Sequence, residues 1–250
     1  MQRTELADYL NRYLSIDDFS DYGPNGLQVE GRDEVKHIVT GVSASVELFE
    51  KAIGMNADAI IVHHGIIWDF DRPVYRGGYK QRVRLLLEND INLFAYHLPL
   101  DAHPEVGNNF QIARTLGLKS PEPFGDYKGK FIGCKGQVDS IPSDIFISGI
   151  KEKINPNALV FPYGPATIRD VGIISGGAQK EVKQAVLNNL DLYITGEATE
   201  FILHYVKEEK IYYVAAGHYA TEKFGIIALG EHLMEQFGLQ VEFIDIPNPV

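Results

Sequence analysis

Three short motifs carry side chains that bind metal ions: the pair His63-His64, the run His97-Leu-Pro-Leu-Asp101 and the run His218-Tyr-Ala-Thr-Glu222. Neighbouring side chains on an extended segment point to opposite sides, so His63 and His64 suit two ions a few ångströms apart better than one. Taken alone, the pair is equally compatible with two polar residues that close a strand. If a helix opens by residue 218, His218 and Glu222 share one face at i, i+4. Imidazole plus carboxylate is a common ligand set for zinc or iron, and a carboxylate can bridge two ions. A capping histidine and an ion-pairing surface glutamate would show the same spacing. Pro99 fixes a bend that carries Asp101 beyond its strand, where it can bridge or ligate. His97 fits three roles: an outer ligand, an acid/base near a metal-bound water, or a structural histidine bonded to backbone.

The ligand count favours a pair of ions. A catalytic ion takes about three protein ligands. His63, His64, Asp101, His218 and Glu222 suit two divalent ions that share one carboxylate. Water between such ions becomes a nucleophile near neutral pH, so the implied chemistry is hydrolysis. Iron, zinc and manganese all suit mixed His/carboxylate ligands.

The elements that would position these residues read as alternating strands and helices. Residues 38–42 form a short apolar strand, 43–53 a helix, and 57–62 a buried strand ending on His63-His64. A helix over about 79–88 leads to a strand over 91–96 that ends on His97. The second half repeats the order: strand 171–174, helix about 179–189, strand 191–194 ending on Thr195-Gly-Glu197, helix about 198–208, strand 211–216 ending on Gly217-His218. A helix over about 220–237 and a last strand near 241–246 follow, and that strand can return to the first half. This predicts an α/β fold of two related domains, 1–122 and 123–250, with largely parallel sheets and the metal site between them. The Pro- and Gly-containing segment 117–129 marks the boundary. In open α/β sheets ligands bind at the carboxyl ends of the strands, where His63, His64, His97, Thr195, Glu197 and His218 all fall. Thr195 and Glu197 could reach a metal water or substrate, or cap the following helix. Gly176-Gly177 and Asn25-Gly26 read first as turns. There is no Walker loop, dinucleotide fingerprint, nucleophile elbow or Cys-x-x-Cys.

Composition narrows the partners. The formal charge of −11 disfavours a nucleic-acid backbone but not a small anion held by metal. The single cysteine, Cys134, allows no intramolecular disulfide and fits a reducing compartment. With no signal-like segment, and no apolar run near the roughly 20 residues of a membrane helix, the expected location is cytoplasmic.

The motifs Asn25-Gly-Leu-Gln28, His63-His64-Gly65, His97-Leu-Pro-Leu-Asp101, Thr195-Gly-Glu197 and His218-Tyr-Ala-Thr-Glu222 stand in one order over nearly the whole chain. In these the sequence resembles the Nif-three-like family, whose members go by the name GTP cyclohydrolase 1 type 2 homologues. The resemblance implies a dinuclear metal centre with ligands at His63, His64, Asp101, His218 and Glu222. It also implies two α/β domains and a ring-shaped homohexamer, a trimer of dimers. The expected activity is metal-dependent hydrolysis of a nucleotide or related heterocycle, with His97 and Glu197 as proton-shuttling catalytic residues. Two other readings stand beside it: a dinuclear phosphoesterase or amidase, and a ring-shaped metal-binding interaction protein without turnover.

Overall fold

The computed structural model describes residues 1–72 and 74–250. In chain order the elements are Arg3–Tyr13 (α1), Gly26–Val29 (β1), His37–Ser43 (β2), Val46–Gly54 (α2), Ala59–His64 (β3), Gly77–Glu88 (α3), Asn92–Ala95 (β4), Leu98–Ala102 (α4), Asn108–Thr115 (α5), Lys119–Tyr127 (β5) and Lys130–Pro142 (β6). Then follow Ser143–Lys153 (α6), Leu159–Pro162 (β7), Thr167–Ile173 (β8), Val182–Leu187 (α7), Leu192–Thr195 (β9), Ile202–Glu209 (α8), Tyr212–Ala215 (β10), His218–Phe237 (α9) and Gln240–Phe243 (β11). The chain forms two compact units, Met1–Leu100 with Ile226–Pro247, and Asp101–Gly225 with Asn248–Val250.

The first unit holds a five-stranded sheet in the order β1-β4-β3-β2-β11. β11, β2, β3 and β4 run parallel, and β1 lies antiparallel on β4. Ala59, Ile60, Ile61 and Val62 of β3 are fully buried, as a parallel strand covered on both faces requires. Ser45 caps α2 by accepting from the Leu48 N–H at 3.2 Å, so the expected start at residue 43 moves three residues on, to Val46. Leu48, Phe49 and Ala52 then pack with Val39, Ile60, Val62 and Leu93 into the core.

The second unit holds a six-stranded sheet in the order β5-β6-β8-β9-β10-β7, with β8, β9 and β10 parallel at its centre. Its core gathers Ile150, Ile168, Val171, Ile173, Leu192, Ile194 and Val214. The segment 117–129, expected as the boundary between domains, is instead largely β5, paired antiparallel with β6. Lys128 and Gly129 both take positive φ, 53° and 85°, which closes a tight hairpin. The boundary expected at 122/123 therefore falls inside a strand. Asp101, expected with the first half, opens the second unit.

The two units repeat one construction. β2-α2-β3-α3-β4 and β8-α7-β9-α8-β10 follow the same order. Asn56 and Asp90 precede β3 and β4, and Asn189 and Lys210 precede β9 and β10, each with φ of 54–57°. These are left-handed helix exits, which asparagine tolerates better than most residues. Asp58 accepts from the Lys36 and His37 N–H groups at 2.9 Å each; Asp191 accepts from Arg169 and Asp170 at 2.8 and 2.9 Å. The sequence signature is Asn-x-Asp in both places, 56–58 and 189–191.

Candidate metal centre

In the first unit three imidazoles gather at the carboxyl edge of the parallel strands. His63 and His64 end β3, and His97 follows β4. Ring centroids are 4.7 Å apart for His63–His64, 5.0 Å for His63–His97 and 5.6 Å for His64–His97. One ligand atom from each lies within 4.8 Å of the others. Each ring leans to a different neighbour along the sheet edge: His63 Nδ1 is 2.9 Å from the Tyr96 carbonyl, and His64 Nδ1 is 3.0 Å from Ser43 Oγ.

His97 is held by the loop that precedes β1. Its Nδ1 is 2.7 Å from Asp21 Oδ1, and its N–H donates to Asn25 Oδ1 at 2.7 Å. Asp21 also accepts from the Tyr22 and Leu98 N–H groups and the Asn25 amide. Burial alone would raise the Asp21 carboxyl. The hydrogen bond and charge of His97, with the Asn25 and Tyr22 bonds, outweigh it and hold the group down at about 2. A carbonyl or a carboxylate on Nδ1 fixes the tautomer of His63 and His97, so the lone pair sits on Nε2, the form that ligates metals. Asp21 belongs to no metal-binding motif, and sequence reasoning missed it. Its only signal is its place four residues before Asn25 in a turn-rich loop. Gln28 Oε1 accepts from Ile66 N at 2.8 Å, and a Cβ on Gly65 would lie 2.3 Å from that same oxygen. Gln28 and Gly65 therefore lock the chain leaving His64.

In the second unit, Asp101 sits in the short helix α4, 5% exposed. Its Oδ1 accepts from Asn108 Nδ2 and Ser175 Oγ, both at 2.8 Å. Asn109 accepts from Ser175 N at 2.7 Å and donates to the Asp101 carbonyl at 3.1 Å. α9 begins at His218, which brings its Nε2 to 3.1 Å from Glu222 Oε1 across one turn. Glu197 Oε1 holds the other ring nitrogen at 2.6 Å. Glu197 thus stands behind His218 and orients it. Burial lowers the His218 pKa, but Glu222 and then Glu197 raise it further, to about 9. Two carboxylates, Glu197 and Glu222, thus flank one imidazole.

Gly176 is more than the turn expected of it. It takes φ +64°, and a Cβ there would lie 2.1 Å from Glu222 Oε1 and 3.2 Å from His218 Nε2. Any larger residue would displace both donors. The Thr195 hydroxyl donates to the Gly176 carbonyl at 3.1 Å, and the Gly176 N–H donates to Thr221 Oγ1 at 3.0 Å. Thr195 therefore shapes the glycine loop rather than capping a helix. The donor set fits divalent metal: imidazoles with fixed tautomers, buried carboxylates held by amides and hydroxyls, and a glycine cradle.

Comparison with known proteins gives the chain its relatives. The family profile Duf34/NIF3 (NGG1p interacting factor 3) matches residues 1–249. A Haemophilus influenzae protein named GTP cyclohydrolase 1 type 2 homolog is 45% identical over 100% of both chains. Its namesake from Escherichia coli strain K12 is 43% identical, again over 100% of both. The solved structure of a Thermus thermophilus protein superimposes with a TM-score of 0.93 at 36% identity, covering 100% of each chain. From end to end, the chain belongs to the Duf34/NIF3 family.

Proposed function

We propose that His63, His64, Asp101, His218 and Glu222 together hold two divalent ions, and that the protein is a metal-dependent hydrolase of cyclohydrolase type acting on a nucleotide or related heterocycle. The observation that carries this reading is the imidazole group of His63, His64 and His97, with ligand atoms within 4.8 Å and each Nδ1 engaged by a neighbour. The second unit supports it with His218 and Glu222 in contact and Asp101 anchored by Asn108 and Ser175. The names of the relatives support the reaction class. Divalent ions held here would supply a water acidified enough to act as a nucleophile near neutral pH. His97, steadied by Asp21, would move a proton to or from the reacting group. Glu197 would position His218. Iron, zinc and manganese all suit the donors. The same reading includes self-association into a ring-shaped homohexamer and a cytoplasmic location.

Elemental analysis of protein purified without chelator or His-tag tests the centre. The expected result is about two ions per chain, falling in His64→Ala and Glu222→Gln while both variants stay soluble. Full loading in both variants would overturn the ligand assignment. Near-zero metal that reconstitution cannot restore would overturn the hydrolase reading. Full metal without hydrolysis across nucleotides, phosphoesters and amides would leave a binding protein without turnover.

A further inference from the structure

Residues between Ile66 and Arg72, with Val74, Arg76 and the first turns of α3, line a cleft of about 540 Å³, well within the range of small-molecule sites. Trp68, Phe70, Arg72, Arg76, Tyr79 and Arg82 line it, with Asp71 at the same wall. The Trp68 ring stands edge-on to His97 at 5.3 Å and lies 6.0 Å from His64. Phe70 stacks on Trp68 at 5.6 Å and 15°, and is itself 72% exposed. The cleft thus offers a flat aromatic surface directly beside the imidazole group.

Its charge runs against that of the whole chain. The protein carries −11, yet residues 72–84 hold five cations (Arg72, Arg76, Lys80, Arg82 and Arg84) and no acid. Arg82 is already committed: its Nη1 donates to the Ala44 carbonyl at 3.0 Å, and its guanidinium lies 5.8 Å from the Tyr79 ring centre. Arg84 pairs with Glu88. Among the described residues Arg72 and Arg76 form no ion pair. The first turn of α3 has no acidic residue, and Arg76 at its N-cap makes no side-chain cap bond. The positive end of the helix dipole therefore adds to the arginines instead of being neutralised.

An aromatic face next to unneutralised guanidinium groups selects for a planar ring with an anionic tail. We propose that this cleft is a binding subsite for a nucleoside phosphate, its base against Trp68 and Phe70 and its phosphate on Arg72 and Arg76. That such a ligand would be turned over rests on the metal centre proposed above; that it binds does not.

Trp68 is the single tryptophan of the chain, so its emission reports on this cleft and the imidazoles beside it, and the Arg72/Arg76 variant separates the two. Chelator-treated and metal-loaded protein would each be titrated with GMP, guanosine and inorganic pyrophosphate. The expected result is saturable quenching by GMP in both forms, much weaker quenching by guanosine, and competition by pyrophosphate. Arg72→Ala/Arg76→Ala should weaken GMP binding at least about tenfold with an unchanged circular dichroism spectrum. Absence of saturable quenching by GMP in both forms would overturn the subsite. Equal affinity in the double variant would do the same. Emission that changes with protein concentration before any ligand is added would mark the cleft as a contact between copies, and would also overturn it. Binding of GMP by metal-loaded protein without turnover would sustain the subsite while the hydrolase reading fails.

Discussion

Asp21 shows how a residue with no motif of its own governs the site. Its two oxygens collect the His97 ring, the Asn25 amide and two backbone N–H groups, and its side chain is 3% exposed. The folded state lowers its pKa from 3.8 to about 2. The carboxylate therefore stabilises the fold fully above about pH 4, and that contribution is lost as pH falls through 2, an effect of about 2 kcal/mol. Denaturant unfolding between pH 5 and pH 2 should show this decline in the wild type and a correspondingly shallower one in Asp21→Asn. Identical slopes would remove Asp21 from this role. The candidate ligands were legible because several imidazoles and carboxylates recur together at the carboxyl ends of the expected strands. Their supports, Asp21, Ser43, Asn108 and Ser175, were not, since short polar residues in loops are what any turn contains.

Among the elements, the repeated strand-helix-strand order around the candidate site was readable from hydrophobic period alone. The strand β5 was missed because Pro121, Pro123 and Gly125 suggest a linker, while the hairpin is fixed by the positive φ of Lys128 and Gly129. The repeated Asn-x-Asp was visible in the sequence yet carried no weight until its bonds were known. Asp58 ties two N–H groups at the start of β2 and also meets Arg32 Nη1 at 3.0 Å. Asp58→Ala should cost about 1–3 kcal/mol, read as a lower denaturant midpoint, because it strands those donors. An unchanged midpoint would mean water replaces the carboxylate without cost.

For the whole molecule, the cysteine reading can be checked directly. Cys134 is fully buried on β6, its Sγ 3.2 Å from the Asn109 carbonyl, and burial pushes the thiol up to about 12 despite Arg114. At pH 8 the thiolate is then about one part in ten thousand. Native protein should not react with a disulfide reagent at that pH, and unfolded protein should release one equivalent per chain. Prompt reaction of the native form would contradict the burial. Among the described residues no helix is long and apolar enough to cross a membrane. The division into units was the least legible feature at this scale, because two of the three chain crossings, at 100/101 and 225/226, lie within the helices α4 and α9.

The pairing of β11 with β2 has a consequence for how the protein is made. β2 carries the fully buried Ile38 and Val39, and its outer edge is closed by residues 240–243. On the ribosome, the first sheet emerges with that edge open and waits for almost the entire remaining chain before it is covered. An exposed apolar edge strand is a template for pairing with other chains. A nascent chain arrested anywhere before its last strand is therefore a natural client for chaperones that shield sheet edges, and a C-terminal truncation of about ten residues would make that vulnerability permanent.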